Sequence, residues 1–382
     1  MLKFSRVVCL IAASAAVAFA GEGNKVQQPK ITTQASGTTQ LLIAVSPVNS
    51  EVVWAAGTGG TYVVTTNGGK TWKAGVVPGA EALQFRDVQG VSARVAYLMS
   101  IGDNTGDFKI YKTEDGGHTW KIQFTNATAG AFYDCMAFWS PWRGVAHSDS
   151  VNGVFPDIRT LDGKHWESIE SHMPAALSGE ASFSASGTCA TTQGFANAWF
   201  ATGGATTARI IATRDGGQHF KAYDTPLVSN PSAGAISVAF RDSRHGIVGG
   251  GDLADDSATD AATTDDGGQT WTLTNKPPID GAIFCLAYVR GQSFDDEGRY
   301  WDFFGGFTNW GWGQDWQYER AVVITTENQP DFSSGAAAWS PDEGHTWYTI
   351  PGVSGNWAVA FANPHAGWFV GNNGQILKIS FN

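Results

Sequence analysis

The sequence predicts an all-β fold, a seven-bladed β-propeller, and three observations favour it. One short pattern, Ser/Thr-x-Asp-x-Gly-x-Thr-Trp, occurs six times in the 382 residues, at positions 65–72, 113–120, 160–166, 213–220, 264–271 and 340–347. The copies recur about every 50 residues, a period typical of propellers, and a four-stranded blade fits it. Three further strand-like runs follow the last copy, and a spare run at residues 30–35 precedes the first. We therefore expect residues 30–35 to complete the seventh blade.

Each copy of the pattern lies between two short β-rich runs, so it is predicted to form the turn of a hairpin. The Asp carboxylate and the Ser/Thr hydroxyl can accept backbone N–H groups, Gly supplies a positive φ, and the aromatic ring packs beneath the hairpin. We interpret these residues as structural and not as catalytic or metal-binding. The third copy is one residue short and the fourth ends in Phe220, so those two hairpins are expected to be looser. The residues with this structural role are Asn67, Trp72, Asp115, Trp120, Asp162, Trp166, Asp215, Phe220, Asp266, Trp271, Asp342 and Trp347.

The pattern resembles the Asp-box, or BNR, repeat of sialidases, some glycoside hydrolases, sortilin-type receptors and photosystem II assembly-factor propellers. Its longer form, with a Gly-rich strand before it, is most similar to the last group and its non-photosynthetic bacterial relatives. The resemblance covers nearly the whole mature chain and implies the fold, whereas one fold hosts many activities. Sialidases carry an Arg-Ile-Pro motif before their first repeat, but residues 21–85 contain no arginine, which disfavours that activity. Xyloglucanases with this repeat use two propellers, and this chain has one.

The first 20 residues have the features of a secretory signal. Lys3 and Arg6 precede an apolar core, and small residues surround a cleavage point after Ala20. The apolar run is too short to span a bilayer, and no later segment approaches a membrane span. We therefore expect a cleaved signal at 1–20 and a single propeller domain at 21–382, exported to the periplasm or outside the cell.

The charge balance is acidic, with a net charge of −11 that becomes −13 if Lys3 and Arg6 are removed with the signal. An acidic surface disfavours nucleic acid as a partner. Another protein or a neutral glycan fits better. Arg209 is the one residue whose forked guanidinium group is expected to bind an anion. The chain is expected to act as a monomer.

Three cysteines remain after signal removal, and Cys135, Cys189 and Cys285 align at one small position on the innermost strands of different blades. This register favours three buried free thiols. The alternative is a disulfide between Cys135 and Cys189, which lie in neighbouring blades. No His/Cys metal spacing occurs, and the sequence predicts neither a metal nor another cofactor.

The loops opposite the repeat turns are where propellers usually meet ligands, and they carry a second set of candidates. The polar ones could form a shared site or could be solvated loop residues without a common task. The aromatic ones lie in a long insertion in the sixth blade, which could fill the channel, dock a partner or stack on sugar rings. The candidates are Asp134, His147, Asp149, Glu180, Arg209, Asp252, Trp310, Trp312 and Trp316. We expect the Trp residues and the carboxylates to border one pocket at the channel mouth.

No recognisable catalytic motif is present, since the sequence lacks Gly-x-Ser-x-Gly, a phosphate loop and His-Glu-x-x-His. The favoured hypothesis is a non-catalytic, exported scaffold or assembly factor that binds protein. The alternative is a glycan-binding or glycoside-hydrolase-like propeller that uses the Trp-rich insertion with carboxylates such as Asp149 and Asp252.

Overall fold

The computed structural model describes residues 27–290 and 315–382, for residues 315 and 316 the backbone alone. Within them, 28 β-strands form seven four-stranded sheets, each antiparallel and each one blade of a propeller. Helical structure there is limited to four short 3-10 turns: Thr105–Asp107, Glu170–His172, Asp315–Tyr318 and Asn372–Gly374. The fold is therefore the all-β, seven-bladed propeller that the repeat predicts.

The strands follow the chain from the inside of each blade to the outside. The first described strand is β1 (Lys30–Ala35). Blades 1 to 3 consist of β2 (Leu42–Pro47), β3 (Val53–Gly57), β4 (Thr61–Thr65) and β5 (Lys73–Val76); β6 (Gln84–Gly90), β7 (Ala96–Ile101), β8 (Lys109–Thr113) and β9 (Lys121–Thr125); and β10 (Tyr133–Ser140), β11 (Arg143–Ser148), β12 (Ile158–Thr160) and β13 (Trp166–Ser168). Blades 4 and 5 consist of β14 (Ala190–Gln193), β15 (Asn197–Thr202), β16 (Arg209–Thr213) and β17 (Lys221–Asp224); and β18 (Ala233–Phe240), β19 (Gly246–Asp252), β20 (Asp255–Thr264) and β21 (Thr272–Leu273). Blades 6 and 7 consist of β22 (Ala282–Tyr288), β23 (Val322–Glu327), β24 (Ala336–Ser340) and β25 (Tyr348–Ser354); and β26 (Asn356–Asn363), β27 (Ala366–Gly371) and β28 (Gln375–Ser380).

The seventh blade takes its outer strand from the other end of the sequence. β1 pairs antiparallel with β28, with Lys30 opposite Ser380 and Ala35 opposite Gln375. The side chain of Gln34 also ties β1 to the first repeat turn, because it donates to Gly68 O at 3.3 Å and accepts from Trp72 Nε1 at 3.0 Å. This pairing closes the ring and covers the edge of β28.

A β-bulge recurs on six of the seven described inner strands. Near the start of each strand the register shifts, and the extra residue is Ile43, Arg86, Asp134, Ile236, Phe284 or Trp357; β10 and β26 have a second shift near their ends. A bulge leaves one residue outside the ladder and redirects its side chain. The next residue in three of these strands then bonds to the following blade: Asp87 Oδ2 accepts from Met136 N at 2.6 Å, Ser237 Oγ from Leu286 N at 2.9 Å, and Cys285 Sγ from Val359 N at 3.3 Å. The position after the bulge therefore links neighbouring blades.

Cys135 and Cys285 occupy this linking position, and Cys189 lies at the aligned position just before β14; one expectation about the three cysteines is wrong. Cys135 and Cys189 form a disulfide with their Cα atoms 5.9 Å apart, whereas Cys285 is free and buried. Equivalent positions on the inner strands of adjacent blades face each other within the range that a disulfide requires. The alignment identified equivalent positions correctly, but it carried no information on the distance between them.

The six repeat turns share one hydrogen-bond scheme. In the second turn, Thr113 Oγ1 accepts from Gly117 N at 2.9 Å, and Asp115 accepts from both Thr119 N and Thr119 Oγ1, at 2.9 and 2.6 Å. The bonds from Thr119 lower the pKa of Asp115 to about 2. The third and fourth turns were expected to be looser, but Asp162 and Asp215 each accept two backbone N–H bonds. One residue fewer, or a Phe at the end, leaves that scheme intact.

Substitutions in the second repeat turn should reduce stability without acting on a ligand site. The Trp120 ring packs edge-on against Trp54 and Tyr62, with centroids 6.2 and 5.2 Å away. We expect Trp120→Ala to lower the free energy of unfolding by about 1–4 kcal/mol, and Asp115→Ala to lower the melting temperature. Urea and thermal unfolding would measure both, with the exposed neighbour His118→Ala as the control. A variant that lost ligand binding at unchanged stability would refute the structural role.

Candidate functional site

An open pocket lies between blades 3 and 4 on the loop face, which we define as the face opposite the repeat turns. Its volume is about 610 Å³. Three connections build it: the one into β10, the one between β11 and β12, and the one from β13 to β14. The lining residues of this blade 3–4 pocket are Gly130, Asp149, Ser150, Asn152, Gly153, Ala176, Leu177, Ser178, Gly179, Glu180 and Ala181.

Two of the predicted carboxyl groups adjoin each other at this pocket. Asp134 is the bulged residue of β10 and is 1% exposed, and Asp149 directly follows β11. Burial raises the pKa of both groups, and the neighbouring Asp149 raises that of Asp134 further. As two carboxylates they offer only acceptors, so Asp134 Oδ2 has no donor. When the two groups share one proton, the contact between Asp134 and Asp149 becomes a hydrogen bond.

His147 lies beside this pair but is not accessible. It is on β11, 0% exposed, and its Nδ1 is 2.7 Å from Asp157 Oδ2, while Asp157 Oδ1 accepts from Ser148 N. Its ring stacks on Phe200 with the centroids 4.6 Å apart, and Nε2 has no hydrogen-bond partner. The expected loop histidine is therefore a packed strand residue that acts electrostatically on Asp149.

Glu180 and Arg209 form a closed ion pair at the pocket wall. Arg209 Nε donates to Glu180 Oε1 at 2.8 Å, and its Nη2 donates to Glu180 Oε2 and to Ala175 O. Glu180 also accepts from Thr202 Oγ1 and Leu177 N, both at 2.7 Å. The fork expected at Arg209 is thus engaged by a carboxylate of the same chain, and the pair fixes the loop that carries the pocket lining.

The remaining candidates do not join this pocket in the described structure. Asp252 ends β19 and accepts from Asn230 Nδ2 and Ser232 Oγ at 2.7 Å each, between blades 4 and 5. Trp310 and Trp312 lie outside the described residues. Trp316 belongs to the turn Asp315–Tyr318, which is described by its backbone alone. The insertion that carries the three Trp residues was expected on the loop face, but it joins β22 to β23 at Tyr288 and Val322. Val322 pairs with Ser340 of the sixth repeat turn, so the insertion leaves the sheet at the opposite face. The structure therefore brings together Asp134, Asp149, Glu180 and Arg209, and it places Asp252 one blade away.

The channel segment, residues 182–188, was not predicted from the sequence; it precedes β14 and reaches across the ring. Ser184 O accepts from Arg86 Nη1 of blade 2 at 3.0 Å, and Ser186 Oγ donates to Phe284 O of blade 6 at 2.7 Å. Ala185 packs in an apolar cluster that also contains bulged residues of blades 1, 5, 6 and 7. The segment therefore occupies the channel near the loop face, which leaves the pocket off the axis. A run of small residues outside the repeat pattern was its only signal in the sequence.

Buried carboxyl groups near the channel predict a stability that declines as the pH rises. Burial raises the pKa of Asp87 to about 8. Between the ordinary pKa of an Asp, about 4, and this value, the folded state holds a proton that the unfolded state has released, so stability falls as pH rises through that window. Asp260 and Glu327, whose pKa values burial raises to about 6 and about 7, act in the same direction.

We expect the urea midpoint of the wild-type protein to fall between pH 5 and pH 8.5, and that of Asp87→Asn to fall less. Asn removes the ionisation while its amide oxygen can still accept from Met136 N. The five repeat-turn Asp residues have the opposite effect, because their pKa values are lowered in the folded state. Their contribution to stability is lost only as the pH drops below about 4. Parallel midpoint curves for the two proteins would contradict the assignment to Asp87.

No protein-family model matches the sequence, and no curated protein matches it. Solved structures do match. YCF48 bound to D1 peptide is 14% identical with a TM-score of 0.60, covering 94% of this chain and 98% of that one. YCF48 from Cyanidioschyzon merolae is 13% identical with a TM-score of 0.59, covering 92% and 98%. The GH74 xyloglucanase from Xanthomonas campestris is 14% identical with a TM-score of 0.57, and the match covers 91% of this chain but only 53% of the enzyme. These likenesses show the fold, a propeller of the kind that the repeat pattern resembles.

No helix in residues 27–290 or 315–382 is long and apolar enough to cross a membrane. Across the same residues, no three His, Cys, Asp or Glu side chains are grouped as a metal site requires.

Proposed function

We propose that this chain is an exported, non-catalytic propeller that binds another protein on its loop face, as a scaffold or assembly factor. The observation that carries the proposal is the open blade 3–4 pocket. Gly130, Gly153 and Gly179 in its wall carry no side chain, so a ligand can approach the main chain closely there, which suits an extended peptide. A propeller of the same fold, YCF48, has been solved bound to a peptide, which supports a peptide as the occupant.

The charge of the loop face favours a basic partner. Its connections and the strand ends beside them carry many carboxylates at exposed or partly exposed positions, among them Glu81, Asp103, Asp252, Asp255, Asp256, Asp280 and Asp331. Two lysines near this face are engaged, since Lys109 lies 3.8 Å from Asp107 and Lys276 donates to Ser257 O. An acidic face attracts a basic surface and speeds its association.

The non-catalytic part of the proposal rests on how the pocket carboxyl groups are used. Glycoside hydrolysis needs two separate carboxyl groups with different protonation states, facing each other across the substrate. Glu180 is closed by Arg209, and Asp149 adjoins Asp134 on the buried side of the pocket. The described pocket therefore offers one carboxyl position to a ligand, which suits binding better than acid–base chemistry.

Export is proposed from the signal-like residues 1–20, which lie outside the described structure. The Cys135–Cys189 disulfide supports it, because disulfides persist in oxidising compartments such as the periplasm and the extracellular space.

The test fills the pocket at an exposed position. We expect Ser178→Trp to block the pocket and abolish capture of the partner from a native envelope extract, whereas Ser334→Trp, an exposed serine on the same face of blade 6, should capture it as the wild type does. Equal capture of the partner by both variants would mean that the partner binds outside the pocket. A glycan array run in parallel tests the alternative: saturable glycan binding with turnover, lost in Ser178→Trp, would replace the scaffold by a glycan-active propeller.

A further inference from the structure

Resting on the proposed function, we infer that the Asp134–Asp149 pair is a proton-coupled receptor for a cationic group, the guanidinium or ammonium of a basic side chain that enters the blade 3–4 pocket. Binding of the cation expels the proton that the two carboxyl groups share. The partner is thereby recognised by an Arg or Lys residue, and the recognition depends on pH.

The geometry joins a buried acid to the pocket through an accessible one. Asp149 is part of the pocket lining, and its Oδ1 accepts from Ser182 N at 2.8 Å, which fixes the carboxyl group at the root of the channel segment. On its buried side it adjoins Asp134, whose Oδ2 has no donor although the residue is 1% exposed. A buried acceptor without a donor is costly, so the empty pocket retains a proton between the two groups.

The charges around the acid pair determine the charge that a ligand must carry. Arg86 of β6 acts on Asp134 from the adjacent blade, Asp157 acts on it from blade 3, and His147 acts on Asp149 from β11. Asp157 is bonded to His147, and the pocket-wall Glu180 is neutralised by Arg209. With one shared proton, the acid pair carries a single negative charge opposite the single positive charge of Arg86.

An incoming cation therefore needs a second negative charge. Release of the shared proton supplies it, because both groups are then carboxylates. The cation binds Asp149, the proton leaves to solvent, and the pair becomes two carboxylates balanced by Arg86 and the ligand. An ordinary exposed Asp is fully ionised above about pH 5, so its affinity for a cation is flat at neutral pH. Affinity at this pair should instead rise with pH through the range in which the pair loses its proton.

Isothermal titration calorimetry with N-acetyl-arginine amide tests the coupling. The guanidinium does not titrate near neutral pH, so any proton released comes from the protein. Titrations of the wild-type protein at pH 7 in phosphate and in Tris, which differ in ionisation enthalpy, count the protons released; we expect close to one. N-acetyl-citrulline amide, of similar shape without the charge, should bind about tenfold more weakly or not at all.

Variants then assign the effect to the pair. We expect Asp149→Asn to weaken binding of the arginine probe about tenfold or more. Asp134→Asn should also bind the probe more weakly and should release no proton, because Asn can donate to Asp149 and hold it ionised but cannot supply the second negative charge. Asp224→Asn, an exposed acid on the outer strand of blade 4, should behave as the wild type.

Two results would overturn the inference: binding of the arginine probe without proton release by the wild type, or equal binding by wild type and Asp149→Asn. Failure of the probe to bind at millimolar concentration would also overturn it. The proposed function fails separately, through capture of the partner by Ser178→Trp, so each idea can fall while the other stands.

Discussion

Replacing Cys135 and Cys189 together by serine is expected to lower the free energy of unfolding by about 2–5 kcal/mol. The disulfide joins the inner strands of blades 3 and 4 across a sequence separation of 54 residues, so it restricts the unfolded chain over more than one blade. Both side chains are buried, and two hydroxyl groups in their place would lie in an apolar cluster. Urea unfolding of the double variant and the wild type under non-reducing conditions measures the difference.

A reductant provides the matched control. It should lower the urea midpoint of the wild type toward that of the double variant and leave the double variant unchanged. A wild-type midpoint that does not respond to reductant under denaturing conditions would mean that the two thiols are unpaired.

The same disulfide also holds the candidate site. Cys135 follows the bulged Asp134, and Cys189 follows the channel segment, whose Ser182 N–H holds Asp149. Loss of the bond therefore frees the two segments that set the positions of the acid pair. We infer that the disulfide orders the blade 3–4 pocket as well as stabilising the ring.

Apart from the insertion in blade 6, the features that depart from the repeat coincide in these two blades. The third repeat turn is one residue short, the fourth ends in Phe220, and the disulfide, the channel segment and the pocket all lie between blades 3 and 4. A ring of equivalent blades offers equivalent loops, so a single binding site requires that the symmetry be broken somewhere. Blades 3 and 4 are where this chain breaks it.

The sequence predicted the number of blades because each repeat turn is a local structure. Turn residues such as Thr113, Asp115 and Gly117 interact within five residues, so their pattern can be read without knowledge of the rest of the chain. The spare run at residues 30–35 predicted the closing strand by the same counting of strands.

The site was predicted only in part, because it depends on distances between blades. Loop alignment placed Asp134, Asp149, Glu180 and Arg209 on one face, but it could not show that Arg209 is closed by Glu180 or that His147 is buried. The disulfide was missed for the same reason. The channel segment belongs to no repeat, so comparison with the other blades could not predict it. The Trp310–Trp316 insertion was assigned to the wrong face, because the sequence does not show that it separates the first strand of blade 6 from the second. What its side chains contact stays a prediction.

Removal of β1 is expected to have the largest effect on stability of any change considered for the fold. Six residue pairs join Lys30–Ala35 to β28, and a hydrogen bond contributes about 0.5–1.5 kcal/mol, so the loss of this ladder amounts to several kcal/mol. The loss also removes the bonds of Gln34 to Gly68 and Trp72, which connect the seventh blade to the first. The junction between the two ends of the described chain then loses its strand pairing and keeps the apolar packing of blade 1 on blade 7 and the bond from Lys378 Nζ to Gly68 O.

The comparison requires two truncations of the mature protein, one starting at residue 30 and one at residue 36. The first keeps β1 and should unfold as the full-length protein does, because residues 27–29 form no strand. The second should melt at a lower temperature and aggregate with rising concentration, since the uncovered edge of β28 can pair with another chain. Light scattering and thermal unfolding measure both effects, and limited proteolysis should cut the seventh blade first. If the two truncations melted together, the propeller would be held closed by contacts between blades and not by the strand at its junction.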